Sequence, residues 1–253
     1  MKDITKLSEK EYRAYDCESF SSIKYLLESA QDYKYYKAKA FKGNAATLLG
    51  TCVHHYIQGN QHLVAFQPYP ALKKNAELIA KFEEKFRELA GEDGIIVPKA
   101  LEEKLLLIHK NFKEHPLATK LIEGCEIEKA FLFNIDGVAL KGKVDGIKGN
   151  SIVEIKSSSG AKSQMEFKEE AKERHYDMQA FMYQEAARQN GYEIENHYFI
   201  VANTSEPYKI AVYKSTQEFL LGGKRKAAKV VENYKRYIIN GEEEVKVEHD
   251  GEL

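Results

Sequence analysis

The segment that most constrains this chain is GKVDGIKGNSIVEIKSSS at 142–159, which has the pattern of a β-hairpin. Alternating, β-branched runs lie on either side of Gly149 and Asn150, a residue pair that suits a two-residue turn. That turn fixes the register, because each residue before it must lie opposite one after it. Counting from the turn places Asp145 opposite Glu154, with their Cβ atoms about 5 Å apart.

Two carboxylates at that distance repel each other unless a proton or a cation lies between them, and a divalent metal ion would serve. Because successive side chains of a strand alternate between faces, Lys156 shares the face of Glu154. Val153 and Ile155 turn the other way, toward a core. The residues alone leave a second interpretation open, since a solvated hairpin would carry the same acids and lysine on an exposed face.

Length and charge set the outer limits for the whole chain. At 253 residues with 43% hydrophobic content the chain can bury a full core. We therefore expect a single domain over residues 1–253, with an acidic C-terminal tail at about 241–253. The net charge of −1 gives no general attraction to nucleic acid or to membranes, so any site for a polyanion must be local.

The three cysteines, Cys17, Cys52 and Cys125, are isolated, which argues against a zinc site or an iron–sulfur cluster. We interpret them as reduced thiols. The N-terminal segment is polar and no apolar run approaches about 18 residues, so neither a signal peptide nor a membrane span is expected. These features favour an intracellular, soluble protein.

The rest of the chain alternates between helical and strand patterns. Periodicity predicts helices at 19–39 (two short ones), 44–59, 72–123, 176–189 and 217–239, and strands at 126–133, 138–147, 151–157, 198–203 and 208–213. Within the second helical region Gly50 would allow close helix packing. His54 and His55 differ by about 100° around that helix, so both cannot face one site. Gln179 and Tyr183 are spaced i, i+4 and share a face.

Four segments resemble those of the RecE-like exonucleases of the PD-(D/E)xK nuclease superfamily. GKVDGI with IVEIKSS resembles the acid–acid–lysine core, and LLGTCVHHYI resembles the histidine-bearing helix. YDMQAFMY resembles the Tyr-x-x-Gln-x-x-x-Tyr helix, and SFSSIKYLLESAQDYKYYK resembles the Ser-rich N-terminal segment. The four occur in the family's order, from about residue 19 to residue 183.

The resemblance implies a fold and a set of roles. The fold would be an α/β (α+β) restriction-endonuclease-like core, a mixed central β-sheet flanked by helices. The metal ligands would be His54, Asp145, Glu154 and the carbonyl of Ile155; Lys156 would be the catalytic lysine, supported by Gln179 and Tyr183. His54 is preferred to His55 because the family histidine directly follows Gly-Thr-x-Val.

Lys143 and Lys162 flank the acids and are candidates for phosphate contacts, although ordinary solvated lysines would look the same. A phosphodiester hydrolase of this kind needs a hard cation, so we expect Mg²⁺, with Mn²⁺ able to substitute. The role of Lys156 stays open among holding the attacking water, lowering its pKa and stabilising the transition state.

The function implied by the resemblance is a Mg²⁺-dependent exodeoxyribonuclease that degrades double-stranded DNA from its ends, 5′ to 3′, in phage-type homologous recombination. It would act as a homo-oligomeric ring with a single-strand annealing protein as partner, in the cytoplasm of a bacterial host cell and without membrane contact. One alternative is an endonuclease or a helicase-associated nuclease of the same superfamily. Another is a non-catalytic DNA-binding scaffold, against which the complete set of Asp145, Glu154 and Lys156 argues.

Overall fold

The computed structural model describes residues 9–39, 42–67, 75–161 and 163–244, together with residues 4 and 7. A six-stranded mixed sheet forms its centre. The strands of this sheet are β1 (Glu18–Ser19), β4 (Glu126–Ile135), β5 (Val138–Lys148), β6 (Ser151–Ser158), β7 (Asn196–Asn203) and β8 (Ile210–Lys214). A second, two-stranded parallel sheet consists of β2 (Val64–Phe66) and β3 (Ile95–Val97).

Ten α-helices surround the sheets within the described residues. They are α1 (Glu9–Ala14), α2 (Phe20–Ile23), α3 (Ala30–Ala38), α4 (Ala45–Ile57), α5 (Ala76–Ala90), α6 (Glu102–Lys113), α7 (Pro116–Ile122), α8 (Gln164–Glu173), α9 (Tyr176–Gln189) and α10 (Gln217–Asn233). The last helix continues as a π-helical stretch over Tyr234–Ile239. None of the described helices is long and apolar enough to cross a membrane.

The predicted meander of β4, β5 and β6 is confirmed as a run of antiparallel pairs. β7 then joins β6 in parallel, and β8 joins β7 antiparallel. Strand β5 is unusual because two strands share one of its edges. One edge of β5 pairs with β4 along most of the length of β5. The other edge of β5 pairs with β1 at residues 140–141 and with β6 at residues 146–148.

The alternation predicted for β6 is also confirmed. Val153 and Ile155 are fully buried in a core that they share with α4 and α6. Ile152 faces the opposite way, into a second core with Met178 of α9 and Val230 of α10. Helices α4 and α9 therefore pack against opposite faces of the sheet.

One expectation about secondary structure is wrong, and one helix was missed. The region 72–123 is not continuously helical, because Ile95–Val97 forms β3; the β-branched run between Gly94 and Pro98 is a strand signal. Helix α8 was not predicted. Gly50 serves close packing against a strand, since a Cβ there would lie 2.8 Å from Oγ of Ser157 on β6.

Other expectations fall partly outside the described residues. Residues 72–74, Lys162 and residues 245–253, which make up most of the predicted acidic tail, are not described. The three cysteines are free thiols, as expected. The single-domain assignment stays a prediction.

Candidate active site

The predicted hairpin register holds up to the acids and then breaks. Gly146 pairs with Val153, as predicted, and pairing between β5 and β6 stops there. Asp145 and Glu154 are consequently not a directly opposed pair in the ladder, which corrects the expected geometry. Beyond that point each carboxylate accepts a hydrogen bond from a backbone N–H that would otherwise bond across the ladder. Oδ2 of Asp145 accepts from the N–H of Ile155 at 2.7 Å. Oε1 of Glu154 accepts from the N–H of Asp145 at 3.1 Å. The two strands thus fork at the acids.

The other neighbour of Asp145 is distorted as well. Glu128 on β4 lies across from Asp145, but the ladder skips this position and pairs only the residues on either side. Glu128 has φ of 55°, a left-handed conformation that costs a non-glycine residue about 1–3 kcal/mol. Nε2 of Gln58, at the end of α4, bridges the gap by donating to Oε1 of Glu128 at 2.9 Å and to the carbonyl of Asp145 at 3.2 Å. Backbone strain is therefore held directly beside the first acid.

Helix α4 brings His54 to the fork. Its Nδ1 lies 3.4 Å from Oδ1 of Asp145. Burial opposes protonation of the imidazole, but the carboxylate of Asp145 outweighs it and raises the pKa of His54. Burial lowers the pKa of His55, whose buried Nδ1 has no hydrogen-bond partner among the described residues. Of the two histidines, His54 is the one in contact with an acid.

The acids differ in their tendency to ionise. Burial and the negative charge of Asp145 raise the pKa of Glu154 to about 8. Burial acts on Asp145 in the same sense, but His54 and Lys156 outweigh it and lower the pKa of Asp145. The site thus holds two buried carboxyl groups that cannot both ionise freely, the situation that a bound cation relieves.

The donor set fits a divalent cation. Two carboxylates, an imidazole and the nearby carbonyl of Ile155 offer the oxygen and nitrogen ligands that such ions take. In the part of the chain that is described, no three His, Cys, Asp or Glu side chains form a ready cluster for a metal ion. One oxygen each of Asp145 and Glu154 accepts a backbone hydrogen bond instead.

Helix α9 completes the site from the opposite face of the sheet. Nζ of Lys156 donates to Oε2 of Glu154 at 3.2 Å and to Oε1 of Gln179 at 2.8 Å. Nε2 of Gln179 in turn donates to the hydroxyl of Tyr183 at 3.1 Å. Nζ of Lys156 also lies 4.7 Å from the ring centroid of Tyr176. Burial opposes the charge on Lys156, but Glu154, Tyr176 and Asp145 outweigh it and raise its pKa.

The structure brings together six of the predicted side chains, which come from α4, β5, β6 and α9: His54, Asp145, Glu154, Lys156, Gln179 and Tyr183. Their roles stay predictions. Lys143 forms an ion pair with Glu128, and Lys162 lies outside the described residues.

Three residues were missed by the sequence analysis. Tyr176 opens the matched Tyr-x-x-Gln pattern, so the resemblance could have indicated it. Nothing in the sequence singles out Glu128 or Gln58, because their importance comes from a backbone distortion. The elements that converge on the site come from both faces of the sheet, and the fork is what lets them meet.

Comparisons with known proteins bear on the family and the fold. The family model described as "PDDEXK-like domain of unknown function (DUF3799)" matches residues 19–249. The crystal structure of a candidate exonuclease from Eubacterium rectale superposes with a TM-score of 0.66 at 19% identity, covering 94% of this chain and 88% of that one. This likeness and the mixed sheet confirm the predicted fold class.

A phage-related exonuclease from Haemophilus somnus 129PT aligns at 15% identity over 76% of this chain and 94% of that one. Its TM-score of 0.36 is too low to support an argument. No curated protein matches the chain significantly.

Proposed function

Since the chain belongs to the PDDEXK-like family whose model spans residues 19–249, we propose that it is a metal-dependent nuclease that degrades double-stranded DNA from its ends. The observation that carries this proposal is the contact set of Lys156. Its ammonium is held between the carboxylate of Glu154 and the amide of Gln179, beside a second buried acid, Asp145. A solvated hairpin would leave these groups exposed and apart.

The residues that would hold the cation are His54, Asp145, Glu154 and the carbonyl of Ile155. When bound, a divalent ion supplies charge neutralisation at the phosphate and a water of lowered pKa. Mg²⁺ is the proposed ion because the set is dominated by hard oxygen ligands, and Mn²⁺ would substitute.

The chain's own groups position the reactants. The ammonium of Lys156 donates to Glu154 beside Asp145, so it is placed to hydrogen-bond an attacking water or a phosphate oxygen. Gln179 fixes that ammonium through its Oε1. Tyr183 accepts from the amide nitrogen of Gln179, which keeps the amide oxygen turned toward Lys156. Glu128 and Gln58 support Asp145 from the other side of the fork.

The finer parts of the proposal rest on the resemblance to the RecE-like exonucleases. They are 5′ to 3′ polarity, a homo-oligomeric ring, an annealing protein as partner and a role in phage-type recombination. A near-neutral chain does not oppose a ring, because a ring holds DNA topologically and needs only local positive charge.

The test is digestion of matched DNA substrates by the full chain. Linear duplex labelled at the 5′ or the 3′ end and closed circular duplex are incubated with Mg²⁺, with EDTA, and with an Asp145→Asn variant. We expect the wild type to release 5′ label from linear DNA and to leave circles intact. Cleavage of circles would instead indicate an endonuclease, and an absence of cleavage of any substrate would indicate a non-catalytic scaffold.

A further inference from the structure

A cavity of about 690 Å³ lies beside the candidate active site and has no part in the chemistry described above. It opens to solvent and is lined mainly by α8, β8 and the first turns of α10, with Phe199 of β7 and Asp177 of α9. Its aromatic lining consists of Phe167, Phe199, Tyr213 and Phe219. Phe167 and Tyr213 stack with their ring centroids 5.0 Å apart, and both Tyr213 and Phe219 keep part of their surface exposed.

The rim of the cavity is basic. Lys168 and Lys172 lie one turn apart on α8, and Arg225 reaches in from α10. All three are exposed, and none of them has an ion-pair partner among the described residues. Lys214 also lines the cavity, and Lys226 is neutralised by Asp177 at 2.9 Å.

This concentration of charge stands out against the rest of the chain. Glu218 and Asp177 are the acidic residues that line the cavity, against five basic ones. The whole chain, by contrast, has a net charge of −1. The cavity is therefore a local positive site of the kind that a polyanion would require in a near-neutral protein.

A single aromatic ring, that of Tyr176, separates Lys156 from the aromatic lining of the cavity. The ring centroid of Tyr176 lies 5.9 Å from that of Phe199 and 6.3 Å from that of Phe167, both in the cavity lining. Nζ of Lys156 lies 4.7 Å from the same Tyr176 ring. A strand bound in the cavity would thus be a short distance from the proposed catalytic lysine.

We propose that this cavity binds one nucleotide of a single strand of DNA, with its base against Tyr213 and Phe219 and its phosphates between Lys168 and Arg225. Aromatic surfaces combined with cations are the means by which proteins bind single strands, because every base can stack. A base inside a duplex presents only its edges, so only an unpaired nucleotide can enter. The proposal deepens the nuclease function and rests on it, because digestion of one strand leaves its complement unpaired beside the site.

The experiment measures binding without cleavage. Fluorescence anisotropy of a labelled oligothymidylate of about ten nucleotides is followed in EDTA with the full chain. We expect the Lys168→Glu/Arg225→Glu variant to bind at least tenfold more weakly. We also expect its slope of log K against log salt to be shallower by about 1.4, because two phosphate contacts are lost at about 0.7 each.

The matched control is Lys224→Glu/Lys229→Glu, which reverses two exposed lysines of α10 that do not line the cavity. Equal weakening by the control, or unchanged binding by the cavity variant, would overturn the proposal. Displacement of the oligonucleotide by free thymidine monophosphate at equal nucleotide concentration would also overturn it, in favour of a mononucleotide site.

Cleavage of linear duplex with Mg²⁺ is measured on the same preparations. If the wild type binds the single strand through these residues but cuts no DNA, the nuclease function is refuted and the proposed binding in the cavity stands. If the wild type cuts duplex but the cavity variant binds the single strand normally, the proposed binding in the cavity is refuted and the nuclease function stands.

Discussion

The carboxylate of Asp145 is hydrogen-bonded to the backbone N–H of Ile155 at 2.7 Å, across the point where β5 and β6 stop pairing. The side chain of Asp145 therefore does two things. It satisfies an amide that the sheet leaves open, and it faces His54 as a candidate ligand. A substitution at this position should be chosen so that the two effects can be separated.

Asp145→Asn makes that separation, because the amide oxygen can still accept from Ile155 while the charge is lost. We expect cleavage to fall about 100-fold or more. The melting temperature should change little, since Glu154 loses a repelling neighbour while His54 and Lys156 lose an attracting one. Asp145→Ala should lose the hydrogen bond as well and melt lower. Cleavage near the wild-type rate by Asp145→Asn would remove Asp145 from the site.

The adjacent histidines make a second comparison. His54 contacts Asp145, whereas His55 lies about 100° around the helix. In a Mg²⁺ titration of cleavage, we expect His54→Ala to need far more metal for half-maximal rate and His55→Ala to behave nearly as wild type. The reverse order would show that α4 is rotated from the orientation described.

Gln179 is the third test, because its amide joins Lys156 to Tyr183. We expect Gln179→Ala to lower turnover about 10- to 100-fold with little change in melting temperature. Tyr183→Phe should have a smaller effect in the same direction, since it leaves the bond from Lys156 to Gln179 in place. Turnover and thermal unfolding are measured on one preparation. A large loss of stability with normal specific activity would make Gln179 a structural residue.

Glu128 offers a test of strain. Its φ of 55° suits glycine, so Glu128→Gly should relieve about 1 kcal/mol of backbone strain, which offsets the loss of its bonds to Gln58 and Lys143 and leaves the free energy of unfolding nearly unchanged. If the carboxylate supports Asp145, the same change should lower turnover. Asp136→Gly is the control, since Asp136 has φ of 47° in an exposed turn and should gain stability without loss of activity. Full activity in Glu128→Gly would show that neither the Glu128 carboxylate nor the strained backbone at this residue is needed for cleavage.

At Gly50 we predict the direction in which Gly50→Ala changes the free energy of unfolding. Glycine to alanine inside a helix normally stabilises by about 1 kcal/mol. At Gly50 the new Cβ would lie 2.8 Å from Oγ of Ser157, so we expect no gain and reduced cleavage. Adding Ser157→Ala removes that oxygen, so the double variant should show the stability gain expected of alanine and a wild-type rate of cleavage. A double-mutant cycle of unfolding free energies measures the coupling, and additive effects would contradict the close contact.

Much of this site was predictable because it depends on local pattern. The Gly149-Asn150 turn set the register through Gly146 and Val153, and alternation correctly placed Val153 and Ile155 in a core. The spacing of Gln179 and Tyr183 required only that α9 be a helix.

The rest depends on how distant segments meet. Nothing near Asp145 indicates that the ladder ends there, since the cause is the combined effect of Glu128, Gln58 and the two carboxylates. The sequence analysis assigned the residues of strand β3 to a helix. Three residues give only a weak strand signal, and the partner strand β2 lies far away in the chain.

The meander of β4, β5 and β6 has a consequence for the order of folding. Its strands are consecutive and joined by tight turns, so the segment bearing Asp145, Glu154 and Lys156 forms from contacts that are local in sequence. Strand β1 must close a long loop before Glu18 can pair with Leu140, and α4 must return from a similar distance. We therefore expect the acids and the lysine to be arranged early, while His54 arrives late. A folding chain would pass through a state that has the two acids but not the histidine beside them.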